Sequence, residues 1–137
     1  MRAFDIIDHT ADIGLIVRGK TLEELFANAA LGMFSIIGDV SRVSPRESRP
    51  VHVRAEDRGL LLAEFLDELL YLLDAEHFVV HHAEVESVSG TEARAVIHGE
   101  PVSPAHDLHT DIKAVTHHAL SVEKRGKIWE ATVLFDV

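Results

Sequence analysis

The stretch from Ile112 to Val137 constrains the fold more than any other, because its alternation and its glycine call for an antiparallel hairpin. Two alternating runs, Ile112 to Lys124 and Lys127 to Val137, flank Arg125-Gly126, and a short glycine turn between such runs folds one strand back on the other. A two- or four-residue turn there sets one register, with Val115 opposite Asp136 and Ala114 opposite Val137. One side then collects Ile112, Ala114, Thr116, His118, Leu120 and Val122 with Val137, Phe135, Val133, Ala131 and Trp129. The other collects Lys113, Val115, His117, Ala119 and Ser121 with Asp136, Leu134, Thr132 and Glu130. A slip of one residue would mix the two sets, so the pattern itself favours this pairing. It also places Lys113 diagonal to Asp136, ~7–8 Å between the two positions, a gap a lysine stem closes. Read locally, that is a cross-strand ion pair near the chain end.

The rest of the chain supplies what this hairpin packs on. Phe4 to Ile7 and Ile13 to Arg18 are two short strands around Asp8-His9-Thr10-Ala11-Asp12, with Gly19-Lys20 as the exit turn. Thr21-Leu22-Glu23-Glu24 is a capping box: the Thr21 hydroxyl accepts from the Glu24 amide and the Glu24 side chain returns to the Thr21 amide. Leu22, Leu25, Phe26, Ala29, Ala30, Met33, Phe34 and Ile37 follow at steps of three and four, one apolar stripe that ends at Gly38. Ser41 to Pro50 reads as a polar loop, and Val51 to Ala55 as a half-buried strand with His52 and Arg54 outward. Asp57 caps a second helix, whose buried face holds Leu60, Leu61, Phe65, Leu66, Leu69, Leu70 and Leu73. Phe78 to Val88 and Glu92 to His98 make a hairpin across Ser89-Gly90-Thr91, and Gly99 to Asp111 is a loop. The expectation is an α/β (α+β) single domain over 1–137, with two amphipathic helices packed on a mixed, largely antiparallel β-sheet.

Composition narrows the function classes. The net charge of −10 argues against a nucleic-acid-binding surface, since phosphate backbones are held chiefly by Lys and Arg clusters. With no Cys there is no disulfide, thiol nucleophile or Cys-based zinc site, which suits a reducing cytoplasm. No window approaches the ~18 apolar residues of a spanning helix, so neither signal peptide nor membrane span is expected.

Three places gather groups that bind ions. Asp8 and Asp12 either cap the backbone of their turn or point together at a hard cation. Glu64, Asp67 and Glu68 share a helix face at spacings that clasp a cation or merely stay solvated. His106-x-x-His109, with Asp107 and Asp111 beside it, has the spacing of a zinc site, although loops also collect such residues for solvation. The pairs His81-His82 and His117-His118 lie in strands, where neighbours point to opposite faces, so neither pair is expected to chelate one ion.

Taken together, the segments resemble the archease family over essentially the whole length. The resemblance is carried by Asp8-His9-Thr10-Ala11-Asp12, Thr21-Leu22-Glu23-Glu24-Leu25-Phe26, Phe65-Leu66-Asp67-Glu68-Leu69-Leu70-Tyr71-Leu72, Gly99-Glu100, Ile112-Lys113-Ala114-Val115-Thr116 and Phe135-Asp136-Val137. It implies an activator of the RtcB-type tRNA-splicing RNA ligase that promotes ligase guanylylation and multiple turnover, broadens its NTP use, and does not ligate RNA itself. It further implies a metal site at Asp12, Asp136 and the backbone carbonyl of Val137, a functional Lys at Lys113, and calcium as the ion. Carboxylate and carbonyl oxygens suit such a hard cation. tRNA would be met only through the ligase, in the cytoplasm. His117 departs from the family pattern, standing where many relatives carry an aromatic residue. The link from Asp12 to the sheet end rests on the resemblance alone.

Two other classes compete with this one. The same carboxylates would serve a metal-dependent phosphate-ester hydrolase, although no general base stands evidently beside them. A general protein-binding module or chaperone would use the metal only to staple strand ends.

Overall fold

A computed structural model describes residues 1–8 and 12–137. The apolar stripe after Thr21 forms helix α1 (Leu22–Ile37), closed at Gly38 as its pattern predicts. The Thr21 hydroxyl accepts from the Glu24 amide at 3.1 Å. The return bond of the box differs from expectation: the Glu24 carboxylate takes the Lys20 amide, one residue earlier, at 3.2 Å. Helix α2 (Arg58–Glu76) starts where Asp57 accepts from the Leu60 amide at 2.9 Å. Its buried side is wider than one stripe, since Leu62, Ala63 and Leu72 are covered, whereas Leu60 and Leu73, expected on the buried face, are half-buried. A helix that touches strands on more than one side needs that width.

Among the described residues the strands divide between two antiparallel sheets. Strands β1 (Phe4–Asp8), β2 (Asp12–Gly19), β3 (Glu47–Arg54), β4 (Phe78–Val88), β5 (Glu92–Pro101), β6 (Ala114–Arg125) and β7 (Ile128–Asp136) are arranged as β1-β2-β7-β6 and β3-β5-β4. Helix α1 packs on β2 and β4, and α2 on β6, β3 and β4, so each helix touches both sheets. This is the expected arrangement of two amphipathic helices on largely antiparallel strands, built around one apolar core.

Three local readings change. Residues 47–50, read as loop, are the start of β3, preceded by a short 3-10 turn at Val40–Arg42. Pro50 belongs to this strand because β3 is a sheet edge, where one missing N–H is tolerated. The segment after His98 is less loose than expected, since β5 runs on to Pro101 and Pro104–His106 makes another 3-10 turn.

The third change concerns the C-terminal hairpin. Its two strands do pair, but Arg125 faces Ile128, which moves the turn to Gly126-Lys127 with Gly126 at φ 63. A positive φ at the first turn residue matches the twist of the strands. At the far end Val115 faces Phe135 and Ala114 faces Asp136. The expected partners of Val115 and Ala114 are thus each displaced by one, and Val115 lies on the buried side with Phe135 rather than beside Asp136. The cause is a wide bulge: between Thr116 and Ser121 four residues of β6 stand against Val133 alone, with Ala119 at φ 56. Alternation counted through a bulge assigns the wrong face beyond it.

Candidate metal centre at the end of the four-stranded sheet

The outer face of the four-stranded sheet is defined by what the inner one buries. Leu15, Val17, Ala131, Val133 and Phe135 are core, so their strand neighbours Asp12, Gly14, Ile16 and Arg18 on β2, and Glu130, Thr132, Leu134 and Asp136 on β7, face away from the helices. In the register of β2 and β7, Arg18 opposes Glu130 at one end and Asp12 opposes Asp136 at the other. Directly opposed residues share a face, with Cβ atoms ~4.5–5.5 Å apart. The pairing that periodicity did not reveal is therefore a direct cross-strand one.

The two ends are charged differently. At the first, Arg18 reaches Asp5 at 2.8 Å and Glu130 at 3.3 Å, and Arg125 meets Glu130 at 3.1 Å. The Arg18 guanidinium holds the Asp5 carboxyl below its usual range. At the second, no ion pair within 4.0 Å reaches Asp12 or Asp136 among the described residues. Like charges placed directly opposite repel, and a cation between them removes the repulsion.

Lys113 arrives at this end by its backbone. Its amide donates to the Asp136 carbonyl at 2.8 Å, extending the β6–β7 ladder by one bond. The side-chain ion pair expected between Lys113 and Asp136 is not formed among the described residues; both side chains are exposed. On its other side β6 is held by α2, where the Asp67 carboxylate accepts from the Val115 amide at 3.3 Å. Burial raises the pKa of Asp67, with Glu64 adding to the rise. No residue pattern signals this tie, which requires a helix residue to meet an edge-strand amide. It also takes Asp67 out of any clasp with Glu64 and Glu68.

Between the two ends lies a small apolar ledge. Leu134 is buried outside the main core, above Gly14, where a Cβ would come within 3.0 Å of Leu134 and 3.5 Å of Ile7. Val137, the last residue, is 44 % exposed and adjoins Asp136. Asp8 opposes Ile13, so it projects to the other face from Asp12. The register thus separates the two acids. His9, Thr10 and Ala11 lie outside the described residues.

The other candidate clusters come apart. His106 is buried; its Nε2 lies 2.8 Å from Glu100 and its Nδ1 accepts from the Ser103 amide at 3.0 Å. His109 is exposed and bonded to the neighbouring Thr110 hydroxyl. The first histidine of the zinc spacing closes the 3-10 turn Pro104–His106, which sends it into a structural network. Glu100 anchors that network, also accepting from the Ser44 amide at 2.8 Å and Arg46 at 2.7 Å, and these bonds lower its pKa to about 2. Among the described residues no three His, Asp or Glu side chains are already gathered to hold a metal. An ion at the strand end would have two carboxylates and a terminal carbonyl as protein donors, with water supplying the rest. That all-oxygen set fits calcium.

These features define a class: a small two-helix, two-sheet domain presenting oxygen donors at the open end of a sheet. The model of the Archease protein family matches residues 4–137. A protein archease of Methanosarcina acetivorans is 38 % identical over 99 % of this chain and 97 % of its own, and one of Thermococcus gammatolerans is 41 % identical over 90 % of each. The solution structure of a Methanobacterium thermoautotrophicum protein superposes with a TM-score of 0.85 at 33 % identity, covering all of both chains. A Thermotoga maritima archease, described as a possible chaperone, shares the fold at 22 % identity and a TM-score of 0.67, covering 100 % of this chain and 98 % of its own. This chain belongs to the Archease family.

Proposed function

We propose that this protein is a non-enzymatic cofactor of an RtcB-type tRNA-splicing RNA ligase. It promotes ligase guanylylation and multiple turnover and broadens NTP use through a calcium-class ion held by Asp12, Asp136 and the Val137 carbonyl, with Lys113 as the functional lysine. The observation that carries this reading is the direct opposition of Asp12 and Asp136 on neighbouring strands. The resemblance to the archease family is what suggests the ligase, with tRNA met only through it and the cytoplasm as the compartment.

In this reading the chain's own residues do three things. Asp12 and Asp136 hold the ion on the solvent face, where a partner protein has access to it. Bound there, the ion offsets their charge and adds a positive centre at the strand end. The Lys113 backbone ties β6 to the Asp136 carbonyl, leaving its ammonium to meet a phosphate or carboxylate of the partner complex. Ile7, exposed on the face of the acids, offers apolar contact area.

The test is multiple-turnover RNA ligation by the cognate ligase with GTP and substoichiometric amounts of this chain. Wild type is expected to restore turnover, and Asp136→Ala and Lys113→Ala to lose most of the stimulation. Equal stimulation by wild type and Asp136→Ala would remove the metal from the mechanism, and no stimulation by wild type would remove the ligase. Turnover of a phosphate ester by the chain alone, lost in Asp12→Ala, would favour a hydrolase. A calcium-raised melting temperature without any ligase effect would favour a structural staple.

A further inference from the structure

The second sheet carries an unassigned cluster, and it arises where strand alternation breaks. In β4, Val80 faces Gly99 and His82 faces His98, so two residues of β4 stand against one of β5. Gly99 permits the close approach, since a Cβ there would fall 2.0 Å from the Val79 carbonyl oxygen. The extra residue turns the His81 ring to the side of His82, contrary to the alternation expected of strand neighbours. Their Nδ1 atoms lie 2.7 Å apart, with the rings edge to face at 4.9 Å.

A hydrogen bond between two Nδ1 atoms requires one to carry hydrogen and the other to be bare. Two ring lone pairs therefore converge on a point that a single proton occupies. The surroundings keep the His82 ring oriented. The His82 ring stacks on His98 at 4.7 Å, and His98 Nε2 lies 2.9 Å from Glu84. Partial burial lowers the pKa of His82, and His98 and His81 lower it further, which favours the neutral ring that metals bind. A tetrahedral ion at ~2.0–2.1 Å from each nitrogen needs them ~3.3 Å apart, a small ring rotation from the present spacing.

We propose that His81 and His82 form a site for a borderline divalent metal of the zinc or nickel class, which replaces the proton shared between their Nδ1 atoms. The displaced proton passes through solvent to Nε2 of the same ring, so both imidazoles remain neutral, and water completes the coordination shell. Imidazole nitrogen selects such ions over calcium, so this site is chemically distinct from the carboxylate end of the other sheet. It stands independently of any role with a ligase.

The test titrates zinc into the full-length chain in excess calcium, read by calorimetry and by the ¹⁵N shifts of the histidine rings. Wild type is expected to bind saturably, with the Nδ1 resonances of His81 and His82 moving together. His81→Gln and His82→Gln should each weaken binding on the order of tenfold or more, while the exposed control His118→Gln leaves it unchanged. Absence of saturable binding overturns the proposal, as does unchanged binding in His82→Gln. Zinc that moves the nitrogens of other rings while leaving those of His81 and His82 in place, or that calcium displaces, overturns it as well. The wild-type ring shifts decide the matter even if a variant misfolds.

Discussion

Each sheet sets two like side chains face to face, and the two sheets do so by opposite means. At the end of β2 and β7 an unbroken antiparallel register opposes Asp12 to Asp136. In β4 a bulge turns His81 onto His82. The regular device leaves two anions in mutual repulsion on a solvent face, which a hard cation relieves. The irregular device brings two ring nitrogens to 2.7 Å, within hydrogen-bond distance. In the two sites proposed above, a sheet would gather ligands either by keeping its alternation or by breaking it, and the donor chemistry would differ accordingly.

Gly99→Ala should break this comparison most severely. Its Cβ would collide with the Val79 carbonyl, so β4 and β5 must separate at the bulge, at a cost of about 3 kcal/mol in urea unfolding. Zinc binding at His81 and His82 should fall with it, whereas calcium binding by the residual folded protein should persist. Loss of both together would mean that the sheets are not independent scaffolds.

Glu100→Gln tests the neighbouring position on β5, with a smaller effect confined to a pH window. Glu100 has its pKa lowered from 4.5 to about 2 in the fold, by the Ser44 amide, then His106, then Arg46. A carboxylate depressed on folding contributes stability above its unfolded pKa and loses it as pH falls through the folded value. The stability gap between wild type and Glu100→Gln should therefore be full above pH 4.5 and close toward pH 2. A gap that persists unchanged in acid would show that the Glu100 charge is not what ties Ser44, Arg46 and His106 together.

The smallest effects are expected at Asp67, and they sharpen the carboxylate end. Asp67→Ala leaves the Val115 amide without its acceptor and should cost about 1–2 kcal/mol, with calcium affinity reduced because β6 is freer beside Asp136. Asp67→Asn keeps an oxygen acceptor and removes a charge that burial disfavours. A raised carboxylate pKa means a contribution present below the unfolded pKa and lost as pH rises through the folded one. Asp67→Asn should accordingly match or exceed wild-type stability at pH 7 and lose that advantage in acid. An Asn variant as unstable as Ala at neutral pH would discount the bond to Val115.

Much of the scaffold was legible in the residues. Thr21 and Asp57 announced both helix starts because a cap is a bond over three residues, and Gly38 announced a stop for the same local reason. The β4–β5 hairpin and the outward His52 and Arg54 followed from alternation over short runs. The C-terminal hairpin was recognisable, yet its register was not. Four residues bulging from β6 against Val133 change the count, and no residue type marks a bulge as glycine marks a turn. The same blindness hid the meeting of His81 and His82. His106 misled in the reverse direction, since its spacing from His109 resembles a ligand pattern while burial commits it to Glu100.

The sequence by itself determined the two helices with their caps, most strand positions and the family, because these depend on residues near one another or on segments in a fixed order. Tertiary structure alone decided which side chains meet. Asp12 faces Asp136 because β2 pairs with β7 across almost the whole chain, Asp67 holds β6 because α2 packs on it, and His81 joins His82 because Gly99 lets β5 approach. Such contacts are set by pairing register and close packing, and these are properties of two segments at once.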